Sequence, residues 1–149
     1  MLIKSPALLK LATCLILALP AYGIAVEGRW TEGFGQGDLE YFIDKQGMRL
    51  HIACPTEEGN ANAFSSVTLQ RQSDNTEVDP FTITVNGIKV TGPVEANSRV
   101  GTDNFQVVFE GVRKGDAVVK FGKKTVVFPK ANAASVLPKP ANGMRCNLM

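Results

Sequence analysis

Phe81-Thr82-Ile83-Thr84-Val85-Asn86-Gly87-Ile88-Lys89-Val90-Thr91 reads as two alternating runs joined by Asn-Gly. A type I′ turn needs φ > 0 at both central residues, and Asn-Gly meets that need at low steric cost. A two-residue loop sets Val85 opposite Ile88 and Ile83 opposite Val90. Phe81, Ile83, Val85, Ile88 and Val90 then share one face, and Thr82, Thr84, Lys89 and Thr91 share the other. Turn chemistry and binary pattern agree on this register, so the stretch predicts a β-hairpin with one buried face.

Upstream, Met48 to Cys54 alternates in the same way. Met48, Leu50, Ile52 and Cys54 fall on one side, and Arg49, His51 and Ala53 on the other. Leu39 to Ile43 is its hairpin partner across a turn at Asp44-Lys45-Gln46-Gly47. Phe64 to Gln70 forms a further strand with Val67 and Leu69 inward. Val26 to Gly37 reads as a Gly-rich lead-in anchored by Trp30 and Phe34. Its Gly33-Phe34-Gly35-Gln36-Gly37 lacks the third glycine spacing of a dinucleotide loop.

Downstream, Asn104 to Gly115 fits two periods. As a strand it buries Phe105, Val107 and Phe109. As a helix it buries Phe105, Val108, Phe109 and Val112, the i, i+3, i+4, i+7 pattern. Thr102 or Asp103 as the cap, Arg113 and Lys114 in the last turn, and Gly115 after it favour the helix. Ala117 to Phe121 and Thr125 to Phe128 make a second hairpin around Gly122-Lys123-Lys124, and Asn132 to Leu137 allows a short helix. The expected fold is α+β and mainly β: a compact antiparallel β-sandwich or barrel-like domain of six or seven strands with one or two short helices.

The first residues address the chain for export. Lys4 and Lys10 precede the uncharged run Leu11 to Leu19, Pro20 ends it, and Ala21, Gly23 and Ala25 offer small residues for cleavage. That is the pattern of a secretory signal peptide over residues 1–25, cut after Gly23 or Ala25, which leaves a single domain over 26–149. A membrane anchor needs roughly 20 apolar residues, and Pro20 and Gly23 cut this run short. Cys14 sits inside the run and leaves with it. The expected location is periplasmic or secreted, with no stable transmembrane anchor after cleavage.

Cleavage leaves Cys54 and Cys146. An even count in an oxidising compartment makes a disulfide the expected state. By the chain-entropy argument, closing so long a loop stabilises the fold by roughly 4–5 kcal/mol. It would pin a Pro-containing tail that has little else to hold it.

The chain carries 16 basic and 14 acidic residues, and Lys4 and Lys10 lie in the signal peptide, so the mature charge is close to zero. That total gives nucleic-acid binding no support. The distribution is uneven. Val26 to Ile88 holds four basic and ten acidic residues, and Lys89 to Met149 holds ten basic and four acidic. The halves either intermingle and cancel, or form a dipolar surface that steers a charged partner. The candidate basic patch is Lys114, Lys120, Lys123, Lys124 and Lys130.

No constellation for catalysis, metal or cofactor is evident. His51, the sole histidine, sits on the polar face of its strand and reads as an exposed surface residue. The serines lie outside any nucleophile-elbow context. Ser73-Asp74-Asn75 lacks the companion motifs of a β-lactamase. Glu57 and Glu58, and Asp38 with Glu40, are the carboxylate pairs that a small hydrolase would have to use.

The segment Phe109-Glu110-Gly111-Val112-Arg113-Lys114-Gly115, the hairpin ending Val127-Phe128-Pro129, the Ala-rich stretch to Leu137 and the late Cys146 are similar to the tail of small bacterial periplasmic proteins of the invasion-associated locus B type. The resemblance covers residues 105–146. It implies an exported β-rich domain with a stabilising disulfide, and it carries over no catalytic residue. The expected function is a small exported binding module, not an enzyme, acting on a protein or another envelope macromolecule, for example as an inhibitor, immunity or host-interaction factor. A small carboxylate-using envelope hydrolase and a structural subunit of an envelope assembly are the alternatives.

Overall fold

The computed structural model describes residues 25–35, 38–55, 63–139, 146 and 148. The signal-peptide reading, Gln36-Gly37, Glu57, Glu58 and residues 140–145 lie outside them.

Nine strands and two helices follow in order among these residues: β1 (Trp30–Gly35), β2 (Asp38–Lys45), β3 (Met48–Pro55), β4 (Ser66–Arg71), β5 (Phe81–Val85), β6 (Ile88–Gly92), β7 (Val94–Glu95), α1 (Arg99–Lys114), β8 (Ala117–Phe121), β9 (Lys124–Phe128) and α2 (Ala133–Val136). They form two antiparallel sheets, one of five strands in the order β1-β2-β3-β4-β7 and one of four in the order β6-β5-β8-β9. The architecture is mainly β, a two-sheet sandwich with short helices, as the periodicity predicts.

The Asn86-Gly87 hairpin has the expected register, Val85 with Ile88 and Phe81 with Gly92, with φ of 49° and 79° at the turn. Gln46-Gly47 makes the same kind of two-residue turn between β2 and β3, with φ of 50° and 73°. The four-residue turn expected at Asp44 to Gly47 is thus shorter, and Asp44 and Lys45 belong to β2. Lys124 likewise joins β9, leaving Gly122-Lys123 as the turn.

Two strands exceed the sequence expectation. Val26 to Gly37 is not a lead-in, because Trp30–Gly35 pairs along β2 from Trp30↔Ile43 to Gly35↔Asp38. Its glycines and its exposed Phe34 hide the period-two signal, and only pairing with β2 makes it a strand. The two-residue β7 extends the larger sheet beside β4.

Residues 99–114 are helical, which settles the ambiguous segment. Phe105, Val108, Phe109 and Val112 are buried, the set that the helical period selects. The start differs: the cap is Ser98, whose Oγ accepts the Gly101 N–H at 3.1 Å. Thr102 instead donates its hydroxyl toward the Ala96 carbonyl at 3.4 Å, tying the first turn to the end of β7. Gly115 is extended, with φ −153°, so it is no left-handed cap.

The core lies between the sheets. Tyr41, Ile43, Leu50, Ile52, Val67 and Leu69 face inward from the larger sheet, and Phe81, Ile83, Val119, Val126 and Phe128 from the smaller. Helix α1 fills the end near the Asn86-Gly87 turn, where Phe109 meets Tyr41 edge-on at 6.1 Å and Phe105 at 5.7 Å. The helix approaches β5 so closely that a Cβ at Gly111 would overlap the Val85 side chain. Glycine is therefore required there for packing. Cys54, at the end of β3, is bonded to Cys146, 92 residues on, and both are buried.

Candidate functional site

At the end of the sandwich away from the bulk of α1, the β2–β3 turn and the β8–β9 turn come together. Gln46, Gly47 and Met48 from one, and Phe121, Gly122, Lys123 and Lys124 from the other, wall an open groove of about 560 Å³ with Arg71, Val78 and Asp79. A second cavity of about 330 Å³ shares Gln46, Met48, Phe121 and Lys124 and runs on to Thr125 and Val126. Met48, Val78 and Phe121 supply apolar wall, and Arg71, Lys123 and Lys124 supply three cations against the carboxylate of Asp79.

Local chemistry positions the cations. Arg71 ends β4, and its backbone N–H bonds the Thr76 carbonyl at 2.8 Å. Its Nη1 donates to Thr76 Oγ1 at 3.4 Å, and that hydroxyl donates to Asp74 Oδ1 at 2.7 Å. Those Thr76 hydrogen bonds hold the Asp74 carboxyl below its usual range. Lys123 sits in the turn itself and Lys124 opens β9 opposite Phe121.

The five sequence-selected lysines do not form one patch. Lys123 and Lys124 lie together at the β8–β9 turn and line the groove, whereas Lys120, paired with Thr125, belongs to the outer face of the sheet. Lys114 ends α1 and pairs with Glu110 at 3.4 Å, while the Lys130 N–H bonds Asp116 Oδ1 at 2.8 Å. Asp116 precedes β8 and Lys130 follows β9, so this pair sits at the other end of the hairpin. A five-residue strand puts the two groups roughly 13 Å apart or more. Arg71 takes the vacated place in the basic cluster. Sequence reasoning missed it because it lies in the acidic half, and no local pattern points from β4 to a turn some fifty residues on.

The outer faces of the two sheets differ in charge, although the halves of the chain intermingle at the groove and in the smaller sheet. The larger sheet is built mostly from the acidic half, and its outer face carries Asp38, Glu40, Asp44 and Glu95 with Arg49. The outer face of the smaller sheet carries Lys89 and Lys120 among Thr82, Thr84, Thr91 and Thr125, with no carboxylate in those rows.

His51 is not the exposed residue that strand alternation suggests. Its side chain is only 16 % exposed, and its Nε2 lies 3.7 Å from Glu40 Oε2. Burial lowers its pKa below the usual imidazole value, opposed by the nearby Glu40 carboxylate. Beside it, Arg49 stacks over the Phe42 ring at 4.1 Å and donates Nε and Nη2 to Asp44 at 2.7 and 2.8 Å. Among the described residues no group of three or more His, Cys, Asp and Glu side chains converges as a metal site would require.

Fold and groove together define a small, disulfide-closed, two-sheet domain with an open basic groove at one end. Residues 28–137 match the YfjT family, and the chain belongs to it. No curated protein and no solved structure matches the chain. Arg71, Lys120, Lys123 and Lys124 all fall inside the matched span.

Proposed function

We propose that this protein is an exported binding module that receives an acidic macromolecular partner, a protein or another envelope component, at the groove between the β2–β3 and β8–β9 turns. The observation that carries the reading is the convergence of Arg71, Lys123 and Lys124 around apolar walls at Met48, Val78 and Phe121. Exposed cations raise the association rate with an oppositely charged partner, and salt screens them over about 8 Å at physiological ionic strength. Apolar walls add desolvation once contact is made. Export is supported by the signal-peptide pattern, by the Cys54–Cys146 bond and by the resemblance of residues 105–146 to periplasmic proteins of the invasion-associated locus B type. No helix among the described residues is long and apolar enough to cross a membrane.

The test has two arms. Intact mass of the protein recovered from the envelope should begin at Ile24 or Val26; a full-length, membrane-retained species as the main product would overturn export. Partners captured from the same envelope fraction should bind faster at low salt. Lys123→Glu with Lys124→Glu should slow association more than it speeds dissociation. On-rates flat in salt and indifferent to those reversals would remove the groove from the mechanism.

A further inference from the structure

The basic groove is the open mouth of the sandwich, where the core-facing rows of both sheets run out. Ile43, Leu50 and Leu69 pair across β2, β3 and β4 and are fully buried. One step nearer the mouth, the same face carries Lys45, Met48 and Arg71 as a cross-strand row. In the smaller sheet the buried pair Val119 and Val126 is followed on its face by Phe121 and Lys124. Alternation keeps all of these on the core side, so each row ends with an apolar side chain beside a cation. β9 lies close to β2 and β6 close to β4. Sheet order therefore sets Met48 near Phe121 in the middle of the mouth, with Lys124 to one side and Arg71 to the other. Long stems let Arg71 and Lys124 cover apolar surface while their heads stay in water, and both residues are exposed. Lys45 already has Glu27 at 3.9 Å. Among the described residues no carboxylate forms an ion pair with Arg71, Lys123 or Lys124. Asp79 lines the groove, and Asp74 stands beside Arg71 through Thr76.

On the reading that this groove is the binding face, we propose that it takes a linear peptide segment of a partner protein in which one large apolar side chain stands between acidic residues. Met48 and Phe121 wall both cavities, of about 560 and 330 Å³, so the apolar side chain sits against them and reaches Val126 in the smaller one. Carboxylates on either side of it meet Lys124 and Arg71, with Lys123 beside them. Desolvation of the apolar side chain supplies affinity that exposed charge pairs do not. Asp79 disfavours a phosphate-dense lipid or polyanion, which it repels, whereas a peptide can turn a backbone N–H toward it.

Two short synthetic peptides, acetylated and amidated, test the occupant on the purified full-chain protein. One carries glutamates on both sides of a central phenylalanine, and the other has serine in the centre. The phenylalanine peptide should bind the parent roughly tenfold tighter or more, the scale of one apolar side chain leaving water. It should also shift the Met48 methyl resonance. Lys123→Glu with Lys124→Glu should weaken both peptides, and Phe121→Ala should narrow the gap between them. The comparison on the parent holds whether or not that last variant folds. Equal binding of the two peptides, with both still lost in the lysine reversal, would overturn the proposal and leave a groove that reads charge alone. Binding of neither peptide, a Met48 methyl unmoved at saturation, or tighter binding of anionic phospholipid vesicles or inorganic polyphosphate than of the phenylalanine peptide would each overturn it as well. The salt dependence of captured partners judges the groove itself separately.

Discussion

Asn132 caps the free edge of the larger sheet at Trp30. Its Oδ1 accepts the Trp30 backbone N–H at 2.8 Å, and its Nδ2 donates to the Trp30 carbonyl at 2.9 Å. A side-chain amide has the donor and acceptor of a peptide group, so one residue from the loop before α2 stands in for a missing strand. It does so across 102 residues of chain. The contact joins the first strand to the last helix, and leaving two part-buried backbone groups unpaired is costly. Asn132→Ala should lower stability by about 1–3 kcal/mol. Asn132→Asp, which keeps the acceptor and loses the donor, should also destabilise. Urea unfolding midpoints check both, and unchanged midpoints would show that water replaces the amide without loss.

The bond between Cys54 and Cys146 closes a separation of 92 residues. Its loss should cost roughly 2–5 kcal/mol, the range typical of native disulfides in small domains. Cys54→Ser and Cys146→Ser should be equally destabilised, and the double variant no worse than either single one. Non-reducing peptide maps of envelope protein should recover both cysteines in one linked peptide. Two free thiols there would refute the bond.

His51 should make stability depend on pH. Its pKa is lowered in the fold, chiefly by burial, so the unfolded chain binds a proton more readily than the native one. Stability from this group is complete above the unfolded value, about 6.5, and is lost as pH falls from there through the lowered native value. The unfolding midpoint should decline between pH 7.5 and 5.5, above the range where carboxylates dominate. In His51→Gln the decline over that interval should be smaller. Equal declines in the two proteins would mean that His51 is solvated in both states.

Arg49 and Asp44 form a two-pronged ion pair in which the Asp44 side chain is 7 % exposed and that of Arg49 29 %. Breaking a fully buried pair costs roughly 3–5 kcal/mol. The exposure of Arg49 reduces that, and Arg49→Leu should cost about 2 kcal/mol through the uncompensated carboxylate. Arg49→Leu combined with Asp44→Asn should cost less than the sum of the two, and a double-mutant cycle on unfolding free energies measures the difference. Strict additivity would show that the pair contributes nothing.

Several elements were legible in the residues alone because their determinants are local. Asn86-Gly87 carries its own turn preference, and the alternation on either side has no other reading. Met48 to Cys54 alternates as cleanly, and the helical period in Phe105, Val108, Phe109 and Val112 selected the buried face of α1. Lys123 and Lys124 meet at one turn because Gly122-Lys123 closes that hairpin, while strand alternation turns Lys120 to the other face. Two cysteines left after a signal-peptide pattern pointed to their bond.

Other features depended on contacts between distant segments. Trp30–Gly35 became a strand because β2 offers it an edge and Asn132 caps the far side. A sequence rich in glycine carries no period to announce that. Ser98 displaced Thr102 and Asp103 as the cap because the chain leaving β7 brings Thr102 against the Ala96 carbonyl. His51 lost its exposure to Glu40 and Phe42 on the adjoining strand. Arg71 joined Lys123 and Lys124 only when the sheets closed at their shared end, and Lys114 and Lys130 were carried to the opposite end of the hairpin. Local pattern determines which residues turn, alternate or coil, since those preferences act over a few bonds. Which charges meet is decided by sheet order, and sheet order is set by burial of apolar faces drawn from the whole chain.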